Sequence, residues 1–492
     1  MYMHLYILSL ILEINVFVAH GLRHPSLPGF LNTGGGNITE DLLARLSPGA
    51  SVSTDLDSAP RWSDYHRPRA GYVVRVAEER DVAETVKYCN EHDLKFLAQA
   101  GGHGWADTFS MSDNDVIINL RSLNHVSLNE AKDVVSFGGG VLGGEVIAKA
   151  AANNVTVSTG GFNCVGYMGI TLGGGIGRWM NKYGLNVDNL LSVNLVTAEG
   201  ETIHVSPTSH AHLDWAIRGA GQNFGIVTSA TMKAHPMRGD DRVWVGDLFY
   251  PAEKLEKYIE IFNTLNMTEE MTIHWRIDLT PPNNTPVIAA QVFFMNADVE
   301  AAHAAFKPLY DLEPYKDTTE VIPYGQVNDA RDFACVHGPR KPVWGAGLKS
   351  LDYEAFQTLW DEYADFVAKT GITSTIIGID AYSNYATRQF GSKHASYSQR
   401  DVNFFALIVP IYEDASLDPA VEAFGSRVRE LWLGSSGYDI PKIYQNFAHG
   451  DEPLEWIYGD SLPRLQQLKK KWDPRGRFNQ WFAITTPEER EL

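Results

Sequence analysis

The spacing of apolar residues near the start of the chain predicts a mixed α/β fold. Residues 72–76 (YVVRV) and 95–98 (KFLA) are short apolar runs typical of buried strands. Residues 79–92, which lie between them, place apolar side chains three to four positions apart, as an amphipathic helix does. A strand, a helix and a second strand in this order predict a compact βαβ unit.

The same criteria predict elements along most of the chain, and their character changes after His235-Pro236. Further strands are predicted at 116–120, 134–138, 155–159, 193–197, 201–205, 273–279, 287–295, 375–380 and 403–411. Further helices are predicted at 143–152, 252–265, 353–369, 417–433 and 461–471. The turn at 198–200 joins two of these strands as a hairpin. Beyond residue 236, long strands alternate with long helices, which predicts a second α/β region built on a larger, antiparallel sheet.

The first 60 residues differ from the rest. Residues 5–19 are an apolar run that ends near Ala19, so residues 1–20 are a possible signal peptide. No Lys or Arg precedes the run and Glu13 interrupts it. A short membrane anchor and a wrongly assigned first residue of the protein therefore stay open as alternatives. Residues 21–60 are rich in Gly, Ser, Pro and Thr and are expected to be a loose lead-in. A secretory route also fits the Asn-x-Ser/Thr sequons, at Asn37, Asn154, Asn266 and Asn283.

Composition excludes several classes of protein. Of 492 residues, 44% are hydrophobic and 21% are charged, which is the composition of a globular protein. The net charge is −19 and the chain has no basic tract, which argues against nucleic acid or an anionic membrane as a partner. The three cysteines allow at most one disulfide and have no metal-site spacing. His210 and His212 have no carboxylate or cysteine beside them that could complete a ligand set, so no metal site is predicted.

Clusters of glycine follow several predicted strands: Gly101-Gly102, Gly173-Gly174-Gly175, and Gly219 with Gly221. Backbone without side chains can approach a phosphate and direct N–H groups at it. Any one cluster could be a tight turn, but three in one α/β region favour a dinucleotide in a backbone-lined groove. No G-x-G-x-x-G opens the first βα unit and no P-loop occurs, so neither a Rossmann site nor P-loop chemistry is expected.

His103 stands inside the first of these glycine turns, where its imidazole is displayed to whatever the loop binds. With an ordinary pKa near 6.5, imidazole is a nucleophile at neutral pH. The residue could be a general base, a ligand or the attachment point of a redox cofactor, and the sequence pattern leaves all three open.

Five collinear motifs together resemble one family. They are AGGHGW at 100–105, GITLGGGIG at 169–177, KYGLNVDNLLS at 182–192, AIRGAGQNFGIVT at 216–228 and KKKWDPRGRFN at 469–479. These resemble the berberine-bridge-enzyme-like flavoproteins of the vanillyl-alcohol-oxidase superfamily, over about residues 60–236 and 440–482. The resemblance implies a PCMH-type FAD-binding domain built from residues 61–236 and 441–492, with a substrate domain inserted at 237–440.

The resemblance also implies which residues hold FAD. His103 matches the histidine that carries the flavin covalently in this family. The other matching positions are Ala100, Gly101, Gly102, Gly104, Gly160, Val165, Gly166, Gly169, Thr171, Gly173, Gly174, Gly175, Ile226, Val227 and Asn446.

The chain departs from the family pattern at two places. Bicovalent members carry a second flavin-linking cysteine where this chain has Phe162, and Cys164 stands two residues late, about 6–7 Å along an extended chain. We therefore expect a single linkage. Phe447 replaces a tyrosine that acts as catalytic base in several relatives, so Tyr444 and Asp380 become the expected catalytic residues. Alternating side chains of the strand segment HWRID offer three further candidates, His274, Arg276 and Asp278.

The resulting expectation is an FAD-linked oxidase that takes a hydride from a small organic substrate, of the secondary-metabolite class, with oxidative cyclisation as one outcome. The resemblance links a valine at position 165 with access of O₂, which would give H₂O₂. Two alternatives stay open: a carbohydrate or alcohol oxidase, which Phe162 and Phe447 count against, and a cyclase that uses FAD without redox chemistry. The substrate and the oligomeric state are left open.

Overall fold

The computed structural model describes residues 38–237, 241–280 and 284–485. The possible signal peptide lies outside the described residues. Within the described part of the chain, no helix has the length and apolar character needed to span a membrane.

The N-terminal sheet contains the predicted βαβ unit with one more strand between its two strands. Its elements are α1 (Ile38–Arg45), β1 (Ser51–Ser53), β2 (Tyr72–Arg75), α2 (Glu79–Glu91), β3 (Phe96–Gln99) and β4 (Val116–Asn119). The strand order is β1-β2-β4-β3, and β4 runs parallel to both β2 and β3. A capping box fixes the start of α2, because the carboxylate of Asp81 accepts the backbone N–H of Glu78 at 3.0 Å. Both α1 and β1 fall inside the stretch expected to be a loose lead-in, so that expectation is wrong from Ile38 onward.

The second sheet is antiparallel and includes the predicted hairpin. This part of the chain forms β5 (Val126–Leu128), β6 (Val134–Gly138), α3 (Gly143–Ala151), β7 (Val155–Thr156), α4 (Tyr167–Leu172), α5 (Met180–Tyr183), α6 (Asn186–Asn189), β8 (Leu190–Val196), β9 (Thr202–Val205), α7 (Ala211–Ala220), β10 (Ile226–Lys233) and β11 (His235–Pro236). The order is β5-β6-β10-β8-β9, and β7 pairs with β11 in a separate two-stranded sheet. The strand predicted at 155–159 stops at Thr156, and the Tyr167 hydroxyl then donates to the carbonyl of Ser158 at 2.7 Å.

The third sheet has eight strands in the described part of the chain and is antiparallel throughout, as predicted. Its region comprises β12 (Arg242–Tyr250), α8 (Leu255–Thr264), β13 (Met271–Thr280), β14 (Thr285–Phe294), α9 (Val299–Ala305), α10 (Lys307–Tyr310), β15 (Lys316–Asp317), β16 (Glu320–Pro323), β17 (Trp344–Leu348), α11 (Tyr353–Thr370), β18 (Thr375–Tyr382), α12 (Tyr385–Arg388), β19 (Phe404–Pro410) and α13 (Asp418–Gly434). The order is β15-β12-β14-β13-β18-β19-β17, with β16 paired to β12. The predicted fold class, mixed α/β with an antiparallel sheet in the second region, is confirmed.

Long helices cover one face of the eight-stranded sheet. Asp352 begins α11 by accepting the N–H of Ala355 at 2.9 Å, and Gly371 ends the helix with a φ of +73°. Phe356 and Tyr363 on the inner side of this helix are buried in the same core as the sheet's tryptophans. Burying each such side chain contributes about 1.5–3 kcal/mol.

The opposite face of the same sheet is polar near its centre, because side chains of a strand alternate between the two faces. Ile273 and Trp275 of β13 enter the helix-covered core, whereas His274 points the other way. Four residues stand directly opposite one another on successive strands: Asp247, Gln291, His274 and Asp380. We call these four residues the polar row.

The C-terminal tail packs back onto the N-terminal half of the chain. After α13 it forms α14 (Leu454–Tyr458) and α15 (Leu462–Trp472). Ile443, Leu465 and Phe482 share a hydrophobic cluster with Phe137 and Leu195 of the second sheet. The domain limits at 61, 236 and 440 stay predictions.

Candidate active site

A cavity of about 940 Å³ lies between the glycine loops and the polar face of the eight-stranded sheet. One end is lined by the loop at 100–104 and by part of 161–170. The other end is lined by the polar row, and residues of the tail close one side. A cavity of this size accommodates an organic cofactor together with a small substrate.

Glycine is required in the loop at 100–104 because backbone approaches backbone there. A Cβ atom on Gly101 would lie 2.6 Å from the Gly166 nitrogen and 2.7 Å from the Cys164 oxygen. Gly102 adopts a φ of +70°, which other residues rarely adopt. The two loops therefore form one close-packed backbone wall of the cavity.

His103 emerges from this wall with a fixed tautomer. Its Nδ1–H donates to the carbonyl of Gly101 at 2.9 Å, and its ring stacks on Trp62 with centroids 5.4 Å apart. Burial lowers the pKa of His103 to about 3, so the imidazole is neutral at physiological pH. Nε2 consequently carries a lone pair, which is the form of imidazole that can attack an electrophile.

Two buried cations stand beside His103 without an ion-pair partner among the described residues. Arg61 donates to Gln99 at 2.9 Å and to the carbonyl of Gly104, and its Nε has no partner. Lys341 donates to the carbonyl of Trp62 at 2.6 Å, and burial lowers its pKa to about 8. Buried charge of this kind needs a counter-charge. The two phosphates of FAD would supply one, so the glycine wall and the cation pair fit this cofactor.

Cys164 forms a disulfide with Cys335, across 171 residues of sequence. Its Sγ lies 3.5 Å from Nε2 of His103. The loop thus folds this cysteine back against His103, although it stands two residues after the position of the family's flavin-linking cysteine. In the disulfide, Cys164 has no free thiol. The expectation of a single linkage, through His103, stays a prediction.

The polar row places an imidazole and a carboxylate together at the far end of the cavity. Nδ1 of His274 lies 2.5 Å from Oδ1 of Asp380, and the hydroxyl of Tyr382 donates to Oδ2 of Asp380 at 3.4 Å. His274 is buried, and its Nε2 has no hydrogen-bond partner within the described residues. His274 also lines the cavity, and its Nε2 is itself buried.

The surroundings keep His274 neutral and Asp380 ionised. Burial, followed by the nearby Arg331, lowers the pKa of His274 to about 3 despite the adjacent carboxylate. Burial alone would raise the pKa of Asp380, but His274, Arg331 and Arg178 together hold it below its ordinary value. The pair therefore presents a neutral imidazole backed by a carboxylate, which is the arrangement of a general base.

Three arginines stand near this pair. Arg276 is neutralised, because it bonds Asp278 through Nε at 2.9 Å and Asp247 through Nη1 at 2.8 Å. Arg331 donates from Nε and Nη2 to the amide oxygen of Gln291, at 3.0 and 2.6 Å. The third, Arg178, also reaches this oxygen from Nη2, at 3.4 Å.

Tyr444 and Asn446 of the tail hold the glycine-rich turn that follows α4. The Tyr444 hydroxyl oxygen accepts the N–H of Gly175 at 3.2 Å, the N–H of Ile176 at 3.3 Å and the side-chain amide of Asn446 at 2.8 Å. Burial raises the pKa of Tyr444 to about 12, so the phenol keeps its proton. Phe447 lines the cavity beside it.

The structure brings most of the predicted residues to the cavity. The lining includes Ala100, Gly101, Gly102, His103, Gly104, Val165, Gly166, Gly169, Ile226, Val227, Asn446, Tyr444 and Asp380. It does not include Gly160, Thr171, Gly173, Gly174 or Gly175. A Cβ on Gly173 would meet Asn446 at 2.6 Å and one on Gly174 would meet Tyr397 at 2.6 Å, so this glycine run makes room for neighbouring side chains.

Sequence patterns missed Arg61, Lys341, Arg178, Gln291 and Arg331. An arginine directly after GGGIG was visible as a signal for Arg178. Arg331 lies in a short 3₁₀ segment, Asp329–Cys335, with no recognisable motif. Its place in the cavity depends on contacts between distant parts of the chain.

Comparison with known proteins identifies the family. The model of an FAD binding domain matches residues 70–206, and a "Berberine and berberine like" model matches residues 443–484. The FAD-linked oxidoreductase tazG of Aspergillus terreus is 32% identical over 452 residues, which cover 88% of this chain and 92% of that protein. The chain belongs to the berberine-bridge-enzyme-like FAD-linked oxidoreductases.

Solved structures of low sequence identity show the same fold. BBE-like 1 of Physcomitrella patens superimposes with a TM-score of 0.79 at 20% identity, covering 92% of this chain and 100% of that one. The glucooligosaccharide oxidase of Acremonium strictum, which carries a 6-S-cysteinyl, 8α-N1-histidyl FAD, gives 0.78 at 18% identity, with 91% and 99% covered. The predicted family and the predicted class of enzyme, an FAD-dependent oxidoreductase, are thus confirmed.

Proposed function

We propose that the protein is an oxidase that removes a hydride from a small organic substrate held between His103 and His274. The observation that carries this proposal is the cavity itself, which joins the FAD-binding glycine wall to the His274–Asp380 pair without a break. When bound, FAD supplies the hydride acceptor, and O₂ then returns it to the oxidised form with release of H₂O₂.

His274 is the proposed general base, ahead of Tyr444. His274 lines the cavity, and its Nε2, which has no hydrogen-bond partner among the described residues, is the proposed acceptor of a proton from a substrate O–H or N–H as the adjacent C–H is broken. Asp380 accepts a hydrogen bond from the Nδ1–H of His274 and stabilises the imidazolium that forms. Asp380 is accordingly a positioning residue in this proposal, and Tyr444, whose oxygen is occupied by three donors, supports the turn at 173–176.

We propose a single covalent link to FAD through His103. The neutral imidazole, its free Nε2 and the stacking on Trp62 support this role. In the glucooligosaccharide oxidase, the flavin is bonded to a cysteine as well as to a histidine. Here the disulfide with Cys335 leaves Cys164 without a free thiol for a bond of the cysteinyl kind.

The lining favours an apolar substrate over a sugar. Phe162, Val409 and Phe447 are among the apolar residues that line the cavity. Sugars need many hydrogen-bonding groups around the ring. A secondary metabolite, oxidised with or without ring closure, fits this wall better than a carbohydrate.

Anaerobic titration tests the function. Purified yellow protein is mixed without O₂ with prenylated aromatics, alcohols and sugars while its flavin absorbance is followed. Bleaching by an aromatic or alcohol, then recovery on admission of O₂ with one H₂O₂ per flavin, is the expected result. Product formed without bleaching would instead show a non-redox cyclase, and preferential bleaching by sugars would show a carbohydrate oxidase.

A secretory location is also proposed. The Cys164–Cys335 disulfide is typical of oxidising compartments, and the sequon residues Asn154 and Asn266 are exposed. Treatment of protein from its native source with an N-glycan-removing enzyme should increase its mobility on a denaturing gel. Unchanged mobility together with free Cys164 thiol would contradict the proposal.

A further inference from the structure

A short segment of the chain, residues 329–336, joins the two ends of the cavity. Its Arg331 donates to the amide oxygen of the polar row, at 3.0 and 2.6 Å. Nearer the glycine wall, the indole N–H of Trp62 donates to the carbonyl of Ala334 at 2.6 Å, and the Trp62 ring stacks on that of His103. We call this segment the strap.

One side of the strap is fixed to the loop that contains Cys164. The strap is a 3₁₀ helix as far as Cys335, so residues three apart lie on the same side. The side-chain amide of Asn163 donates to the carboxylates of Asp329 and Asp332, each at 3.1 Å. Cys335, the third residue of this side, forms the disulfide with Cys164. These contacts fix how the strap is rotated about its axis.

The neighbouring side of the strap is apolar and lies where the cavity opens. It consists of Ala330, Phe333 and Val336, which line the cavity and are also exposed to solvent. Phe333 is 69% exposed and Val336 is 59% exposed, although both are large apolar residues. Single apolar side chains on a surface are ordinary, but three in one row beside a cavity are typical of a ligand-binding groove. We call these three residues the rim row.

The large sheet supplies a second apolar surface, which runs outward from Asp380. Asp380 and Ile376 of β18 and the exposed Ser374, just before this strand, all line the cavity. They alternate along the chain and so share one face. The cavity-lining Leu407 and Val409 of β19 lie beside them, with Val409 directly opposite Ile376. From Asp380 to Ser374 is about 20 Å of extended chain, so an apolar path leads from the polar row to the surface.

The rim row and this apolar path approach each other at Trp62. The Trp62 side chain bonds the strap, and it shares a hydrophobic cluster with Val409, against which Ile376 and Leu407 pack. Lys341 connects the same parts, because its ammonium donates to the carbonyls of Trp62 and Val336. A chain of carbon atoms that follows the path from Asp380 would therefore leave the cavity beside the rim row.

We propose that the substrate carries an aliphatic group of several carbon atoms, which lies along this path and is covered at its outer end by Phe333 and Val336. The reacting group stays next to the His274–Asp380 pair, and the two rim residues select the substrate by the length of its chain. Covering them removes from water apolar surface that is exposed in the free protein, and this drives binding. The inference rests on the proposed function and names the class of substrate.

Three probes of one shape test the effect of chain length. They are 4-methylphenol, 4-propylphenol and 4-pentylphenol, which share the ring and the hydroxyl and differ only in the alkyl chain. Binding to flavin-loaded protein is measured by titration calorimetry without O₂, and flavin absorbance shows separately whether a probe reduces the flavin. The affinity of the wild-type protein should rise about two- to four-fold for each added methylene.

The double variant Phe333→Ser/Val336→Ser removes the outer end of the path. Both side chains are exposed, so the variant should keep its flavin and its unfolding midpoint. Its affinity for 4-pentylphenol should fall at least about ten-fold, while that for 4-methylphenol changes less than about two-fold. The control is Tyr315→Ser, which truncates an exposed aromatic residue that is not among the residues lining the cavity. It should change neither affinity.

Several results would overturn the inference. Wild-type affinity that does not rise with chain length, or no binding of 4-pentylphenol, would show that no apolar path receives the chain. Unchanged affinity for 4-pentylphenol in the double variant would exclude the rim row. An equal loss for the methyl and pentyl probes would assign the rim row a structural role only. Failure of the proposed function would look different, because no candidate substrate would then bleach the flavin, even where the affinity for alkylphenols follows chain length.

Discussion

His274 and Asp380 occupy directly opposite positions on β13 and β18, with Nδ1 of the histidine 2.5 Å from Oδ1 of the aspartate. The carboxylate accepts the Nδ1–H, so Nε2 carries the lone pair. The β-sheet register thus determines which nitrogen of His274 carries the lone pair. Rotation of the ring would break the bond to Asp380, which keeps the base in one orientation.

The pH dependence of flavin reduction follows from this arrangement. The pKa of His274 is lowered from its ordinary value to about 3, so the base stays unprotonated from neutral pH down to about pH 5. With a substrate that does not titrate, the anaerobic reduction rate should be constant between pH 8 and pH 5. Arg331→Gln should raise the pKa of His274 and move the acid fall to higher pH. A wild-type rate that falls with an apparent pKa near 6.5 would contradict this environment.

Tyr444→Phe should affect stability more than chemistry. The change removes the acceptor for two backbone N–H groups and the amide of Asn446, which costs about 1–3 kcal/mol for each donor left unsatisfied. We expect a lower midpoint of thermal unfolding and a reduction rate within a few-fold of wild type. The exposed Tyr385→Phe serves as the control. A loss of rate of about 10² without loss of stability would make Tyr444 the base.

The disulfide should stabilise the fold and keep the cavity wall together. It closes a loop of 171 residues and joins the part of the cavity wall that contains Cys164 to the segment that carries Arg331. The double variant Cys164→Ser/Cys335→Ser should lose about 2–5 kcal/mol of unfolding free energy. Dithiothreitol should lower the unfolding midpoint of the wild-type protein and leave that of the variant unchanged. Equal sensitivity of the two proteins would argue against the bridge.

His103→Ala should release the flavin. Acid precipitation of wild-type protein is expected to leave yellow colour in the pellet, and the flavin should map to the His103 peptide alone. The variant should lose its flavin to the supernatant and oxidise substrate more slowly. His337→Ala is the matched control, since this exposed ring lies 6.0 Å from that of His103. Covalent flavin retained in His103→Ala would mean that another residue carries it.

Local sequence patterns were sufficient for much of the fold. Apolar periodicity predicted α11 and β18 to within two residues, because each buries one continuous face. Alternation along HWRID correctly put His274 and Arg276 on one face of β13. Four strands of the large sheet, β12, β15, β16 and β17, were missed. β17 is short and buried along its whole length, so it shows no alternation.

The site could be predicted only in part, because it depends on long-range register and loop folding. His274 and Asp380 are 106 residues apart, and no local pattern states that their strands are neighbours. The same holds for Cys164 and Cys335 and for the approach of Arg331 to Gln291. Motifs identified the loop around His103 because its glycines are needed locally, where backbone meets backbone.

The most direct test of the account is the rate of anaerobic flavin reduction in His274→Gln. With a substrate found by the titration above, stopped-flow measurements compare this variant with wild type, with Asp380→Asn and with His303→Asn, an exposed histidine of α9. The account predicts a loss of about 10²–10⁴ in the limiting rate for His274→Gln, a smaller loss for Asp380→Asn and none for His303→Asn. Flavin content and substrate affinity should change little in His274→Gln. Reduction of the flavin at the wild-type rate in this variant would contradict the account.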